Sequence, residues 1–224
     1  MAHEDTSLEG LTQQEITEQG NPRKPTGTAG KAMLERMNAS HAEVTWWGLG
    51  FGSWENVRSA LDIGCGGGAT LARLAKLAPE AQVYGLDYSS VSVEESRGHN
   101  ADLIDKSRLE VTQGSVEAMP YASGSMDAIV TVESFYFWPD PAQNLCEVRR
   151  VLAPAGTFLL IADVYERPDL SDEVRASVRH YDLFNPNEQQ FAELLEQAGF
   201  VDVRVHTKEG TTWLCAEGHA PSAS

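Results

Sequence analysis

Cysteine is scarce in this chain: Cys65, Cys146 and Cys215 are the only three among 224 residues, and no Cys-x-x-Cys pair occurs. That spacing offers neither a zinc ribbon nor a redox dithiol, and an odd number of thiols without an export signal fits a reducing cytoplasm. Long apolar runs are missing as well; none approaches the roughly 20 residues that a membrane-spanning helix needs. Residues 1–20 contain no apolar stretch of the kind that marks a secretory signal. Basic residues are few, 17 Lys and Arg against 33 Asp and Glu, giving a net charge of −16. Proteins that hold nucleic acid gain much of their affinity from Lys and Arg on phosphates. The only basic doublets here are Arg23-Lys24 and Arg149-Arg150, so a polyanionic partner is disfavoured and a small-molecule substrate favoured, with a homodimer left open. His and Cys are scattered, so no metal site is expected.

What is present is a hydrophobic fraction of 42%, enough for one sizeable core. Residues 1–28 are polar and rich in Gly and Pro, and are expected to form a flexible tail, mostly disordered or ordered only on docking. Residues 29–56 read as an N-terminal helical segment covering the active site: a helical pattern over 30–44, then a loop or broken helix over 45–54 that carries Trp46, Trp47 and Trp54. From 57 to 224 strands and helices alternate. Strands are predicted at 59–63, 82–87, 108–113, 126–132 and 156–163, and helices at 69–78, 89–104, 141–152 and 186–198. Two final strands, 201–206 and 211–216, flank a short turn and read as an antiparallel hairpin. This order predicts an α/β fold: a Rossmann-like, seven-stranded, mostly parallel sheet with helices on both faces and a C-terminal antiparallel β-hairpin. Ligands of such sheets lie beyond the carboxyl ends of the strands, where strand order reverses.

The first strand runs directly into Gly64-Cys65-Gly66-Gly67-Gly68, and a helix follows. Glycines there admit positive φ and close approach of a ligand, and the helix start offers free N–H groups. The second strand ends at Asp87, placed to accept hydrogen bonds from ribose hydroxyls. Gly64-x-Gly66-x-x-Ala69 also satisfies a dinucleotide fingerprint, so the loop alone fits two cofactors. Asp62 before the glycines suits a cationic amino-acid ligand better than a pyrophosphate. The terminal hairpin and the length of the chain also weigh against a dehydrogenase.

Leu61-Asp62-Ile63-Gly64-Cys65-Gly66-Gly67-Gly68 followed by Gly85-Leu86-Asp87-Tyr88-Ser89 resembles class I S-adenosylmethionine-dependent methyltransferases, of the small-molecule, methyltransferase-11-like type. The segments from Gly114 to Pro120, Ser125 to Val130 and Arg149 to Thr157 extend the resemblance, as do Glu133 to Asp140 and the Met37-Asn38-x-x-His41 stretch. The resemblance implies S-adenosylmethionine as cofactor. Gly64, Cys65, Gly66 and Gly68 would contact its methionine portion, with Asp62 beside them. Asp87 would hold the ribose, Tyr88 would pack on adenine, and Ser115 and Val116 would line the adenine edge. Many relatives carry Asp where Ser115 stands.

Methyl transfer from a sulfonium is an in-line displacement with an activated leaving group, so positioning is the main task. A general base matters when the nucleophile is protonated. His41 is a candidate base because its pKa is near neutral. Glu133, which ends the fourth strand, is a candidate for holding the cofactor ammonium or a substrate amine. Tyr136 and Trp138 are candidate pocket walls, and Asp163 and Tyr165 could reach the pocket from the fifth strand. Trp46-Trp47-Gly48 reads either as a lid over the sulfonium or as a plug at the open end of the sheet. The expected function is methyl transfer to a small-molecule acceptor. A cofactor-binding sensor or subunit without transfer activity, or a nicotinamide-dependent oxidoreductase, are the alternatives.

Overall fold

Strand β1 (Ser59–Ile63) carries apolar side chains on both sides of its pleat, the pattern of a strand covered on both faces. Leu61 and Ile63 join one core cluster and Ala60 the other. The computed structural model describes residues 8–223. In them β1 lies centrally in a seven-stranded sheet with β2 (Gln82–Asp87), β3 (Leu109–Gln113), β4 (Met126–Val132), β5 (Leu152–Ala162), β6 (Val201–Thr207) and β7 (Leu214–His219). The order is β3-β2-β1-β4-β5-β7-β6. β1 to β5 run parallel to one another, and β7 runs antiparallel between β5 and β6. This is the Rossmann-like arrangement expected. β7 starts later than the expected second strand of the hairpin, because residues 208–213 form the connection, closed by Lys208 N–H on the Trp213 carbonyl at 3.3 Å. Strand order reverses between β1 and β4, so a crevice opens at their carboxyl ends.

The N-terminal region departs from the sequence expectation. Residues 1–7 of the expected flexible tail lie outside the described residues. Residues 8–28, by contrast, contain helix α1 (Gln13–Gly20) and the start of α2 (Gly27–Ser40). Thr12 and Glu15 form a capping box at the start of α1, and Ile16 packs against Ala29 and Met33. Arg36 of α2 binds the Gln13 carbonyl at 3.2 Å and Thr17 Oγ1 at 2.6 Å. The Trp-rich stretch over 45–54, expected as a loop or broken helix, is helical only as far as Leu49, where α3 (Ala42–Leu49) ends, and His41 separates α3 from α2. Trp47 packs edge-on against Phe51, with ring centroids 5.2 Å apart, and beside Trp213.

The remaining helices cover the sheet. α4 (Ala69–Leu77) buries Leu71 and Leu74. The helix expected over 89–104 is two, α5 (Ser90–His99) and α6 (Ala101–Asp105), divided at Asn100, whose amide donates to the carbonyls of Gly68 and Ser96 at 3.0 and 2.8 Å. α7 (Pro141–Val151) leads into β5 without a loop. α8 (Asp172–His180) buries none of its residues, and its apolar side is no wider than Val174 and Val178 at i, i+4. α9 (Glu188–Gln197) starts with a capping box between Asn187 and Gln190. Asn187→Ala is expected to destabilise the fold by about 0.5–2 kcal/mol, read from the urea midpoint at unchanged slope. No helix among the described residues is long and apolar enough to cross a membrane.

Candidate functional site

The crevice at the ends of β1, β2 and β4 holds a cavity of about 300 Å³. Its floor is the turn that follows β1. Gly64 there has φ of +73°, and a Cβ on it would lie 2.4 Å from Ser134 Cβ and Oγ. Ser134 is held in place, since its hydroxyl donates to the Ile63 carbonyl at 3.0 Å and lies 2.6 Å from Thr131 Oγ1. Asp87 closes the loop from the other side: its Oδ2 accepts from Gly66 N–H at 3.0 Å and its Oδ1 from Ser89 N–H at 2.9 Å. Burial raises its pKa against the pull of those donors. Asp62, Gly64, Cys65, Gly66, Asp87, Tyr88, Ser115, Val116, Glu133 and His41 all line this cavity. Gly68 does not. It faces α5, with Ser96 Oγ 2.6 Å from where its Cβ would be, and its φ of +81° serves the turn into α4.

Asp62 is 1% exposed, and its Oδ1 has no hydrogen-bond partner among the described residues. Burial, reinforced by the Asp87 charge, pushes its pKa well above the carboxylate range, with Arg73 pulling the other way. A buried carboxylate in this condition suits a cationic group better than an anionic one. Cys65 is buried as well, so its contribution to the cavity surface is mainly backbone.

At the other rim the chain before α2 crosses the crevice. The Tyr88 hydroxyl donates to the Arg23 carbonyl and the Ser89 hydroxyl to the Pro25 carbonyl, the latter at 2.6 Å. On the far side the Arg23 guanidinium lies 5.4 Å from the Phe137 ring centroid and donates to the Asp182 carbonyl at 3.1 Å. Pro22, Arg23 and Pro25 thereby join the cavity wall. The Ser115 hydroxyl donates to Glu117 Oε2 at 2.9 Å.

Beyond β4 and β5 three residues from separate parts of the chain meet. Donor atoms of His41, Glu133 and Asp163 lie within 4.8 Å of one another, the only such group of His, Cys, Asp or Glu among the described residues. The sequence reading saw no such set because the three are distant in the chain. Glu133 sits at a positive φ of 55° that turns its side chain toward β5. Its Oε1 accepts from the Asp163 N–H and from the Tyr136 hydroxyl, the latter at 3.2 Å. Burial, then the nearby Asp163 charge, raises its pKa to about 8. His41 is lowered by burial while Asp163 pulls it upward. Its backbone is fixed between α2 and α3, its carbonyl accepting from Thr45 Oγ1 at 2.6 Å.

Two expected wall residues are not at the cavity surface. Tyr136 is buried and holds Glu133 and the Val164 backbone, so it is a positioning residue. Tyr165 is buried in the core. Trp138 does line the cavity, and Trp46 and Trp47 do not; Trp47 packs against the core, whereas Trp46 is exposed. A second, more open cavity of about 360 Å³ is walled by Arg36, Ser40, Tyr181 and Leu183. It shares Pro22, Met37, His41 and Phe137 with the first. Nothing in the sequence points to it, because its walls come from α1, α2 and the segment after α8, which lie far apart in the chain.

Residues 61–160 match a family described as a methyltransferase domain. The chain is 30% identical over 153 residues to 2-methyl-6-phytyl-1,4-hydroquinone methyltransferase 1, chloroplastic, of Oryza sativa subsp. japonica, which covers 68% of this chain and 44% of that protein. It spans less than half the length of the first curated relatives it matches. Among solved structures, the Haloferax volcanii putative methyltransferase in complex with the Trm112 activator superposes with a TM-score of 0.72 at 22% identity, over 86% of this chain and 95% of that one. Phosphoethanolamine N-methyltransferase 2 of Haemonchus contortus with S-adenosyl-L-methionine gives 0.74 at 14% identity, over 97% and 62%. At these identities the structures attest the fold.

Proposed function

We propose that this chain, which belongs to the class I S-adenosylmethionine-dependent methyltransferases, transfers a methyl group from S-adenosylmethionine to a small-molecule acceptor. The observation that carries the reading is the buried Asp62 carboxyl group on the floor of the crevice, whose Oδ1 has no hydrogen-bond partner among the described residues. A pyrophosphate there would meet like charge, whereas an α-ammonium would supply the missing counter-charge. The other residues fit the same group. Asp87 would accept from the ribose hydroxyls, the backbone of Gly64, Cys65 and Gly66 would face the methionine portion, and Tyr88, Ser115 and Val116 would border adenine.

When bound, the cofactor supplies an electrophilic methyl group on a sulfonium. The chain supplies orientation and a place for a proton. His41 is neutral around pH 7, because burial lowers its pKa below the usual 6.5. It takes the proton from an acceptor oxygen or nitrogen, and the Asp163 carboxylate favours the resulting imidazolium. Tyr136 fixes Glu133 beside that pair. The acceptor body has room in the second cavity, which adjoins the first at His41, Met37 and Phe137.

Calorimetry with S-adenosylhomocysteine and with NAD tests the cofactor, and binding of NAD alone would sink the reading. Labelled S-adenosylmethionine, offered with a panel of small phenols, alcohols, amines and carboxylates, tests transfer. Tight binding with no label transferred across the panel would favour a sensor. In the same calorimetry Asp87→Ala is expected to cost about 1.5–3 kcal/mol, the range for hydrogen bonds to a charged group. An unchanged affinity would remove Asp87 from the ribose contact.

A further inference from the structure

Arg73 lies in the second turn of α4 and lines the cavity close to Asp62. Its surroundings are unusual for a cation in a chain of net charge −16. No carboxylate lies within 4.0 Å of it among the described residues, although acidic residues outnumber basic ones about two to one. Its one hydrogen bond is long, from Nη2 to the Asn38 carbonyl at 3.4 Å. The Trp46 ring covers one side of the guanidinium, its centroid 5.9 Å from Cζ. Asn38, which receives that bond, is itself fixed by donating to the Gly67 carbonyl at 3.1 Å. Most of the five guanidinium N–H donors therefore remain unspent at the cavity wall.

Partial burial costs this cation solvation, and the Asp62 charge is the main compensation it has. Asp62 in turn lacks a hydrogen-bond partner for Oδ1. One end of the cavity thus presents a carboxyl group and a cation that do not touch one another, both short of partners. A group matching both must itself carry a cation and an anion a few atoms apart. An α-amino acid zwitterion has that form, and a guanidinium can take a carboxylate through two parallel hydrogen bonds.

We infer that Arg73 binds the α-carboxylate of the cofactor's methionine portion while Asp62 binds its α-ammonium, so that the two residues form one zwitterion subsite. The inference rests on the proposed cofactor and deepens it. It makes the subsite read the amino-acid end of the ligand separately from the nucleoside end, which Asp87 holds.

Two ligands separate these ends: S-adenosylhomocysteine carries the zwitterion, and 5′-methylthioadenosine lacks it. Calorimetry on the full chain is expected to show Arg73→Gln weakening S-adenosylhomocysteine by about 10–100-fold, with methylthioadenosine affinity unchanged. Arg73→Lys keeps the charge and loses the two-pronged geometry, so it should fall between wild type and Arg73→Gln. Melting temperatures of the unliganded variants report whether α4 is intact. Equal weakening of both ligands would mean that Arg73 only shapes α4, and would overturn the inference. Unchanged affinity for S-adenosylhomocysteine would overturn it as well. A wild-type chain that binds neither ligand would instead bring down the cofactor reading, and the inference with it.

Discussion

Replacing His41 by alanine lowers turnover of the identified acceptor by about 10²–10⁴-fold, the contribution of a positioned general base, while S-adenosylhomocysteine still binds. The pH profile carries the sign. Burial lowers the His41 pKa from 6.5, so the base is formed across the neutral range, and the wild-type rate falls only as pH drops below the ordinary histidine range. In His41→Ala that acid limb disappears. An alanine variant that kept both its rate and its acid limb would take the base role away from His41. Glu133 behaves oppositely in the stability curve. Its folded pKa, raised to about 8 from 4.5, lies above the unfolded value. Its proton therefore stabilises the fold fully below the unfolded pKa, and that contribution is lost as pH rises through about 8.

The second large effect is structural. Gly64→Ala is expected to cost about 2–5 kcal/mol, the sum of left-handed backbone strain and overpacking against a neighbour. That is a large part of the 5–15 kcal/mol typical of a domain. The neighbour is Ser134, 2.4 Å from the added Cβ, and its bonds to Ile63 and Thr131 resist displacement. Gly199→Ala is the matched control: φ there is +87°, and a Cβ would meet nothing within 4 Å. It should lose only the strain, about 1–2 kcal/mol. Urea melts of the two variants isolate the contact; equal losses would show that Ser134 yields at no cost.

Most of the sheet was legible because the strands carry it locally: β1, β2 and β4 lie at the positions that alternation and apolar runs predict. The glycine loop and Asp87 were legible because a turn chemistry and an acidic strand end recur at a set spacing. α8 was missed, since it is short and mostly polar, with only Val174 and Val178 at i, i+4 to mark its apolar side. α1 was legible in principle: Thr12-x-x-Glu15 is a capping-box signature, outweighed in the sequence reading by the polar composition around it. The grouping of His41 with Glu133 and Asp163 shows the other limit. Each could be proposed from its place after a helix or strand, but their meeting depends on β4 pairing with β5 and on α3 packing against β5, which only the tertiary fold decides. Arg73 carried no signal, because a basic residue on an amphipathic helix normally faces solvent.

The segment crossing the crevice from Pro22 to Pro25 is fastened differently at its two ends. On the β2 side its hydrogen bonds use only peptide oxygens, those of Arg23 and Pro25, which accept from Tyr88 and Ser89, while the Lys24 ammonium lies 5.4 Å from the Tyr88 ring centroid. Any residue carries such an oxygen. On the far side the Arg23 guanidinium is needed to reach Phe137 and Asp182. The hydrogen bonds of the near anchorage are therefore indifferent to spelling and strict about count: exchanging letters there leaves the oxygens in place, whereas one residue added or removed shifts both out of register.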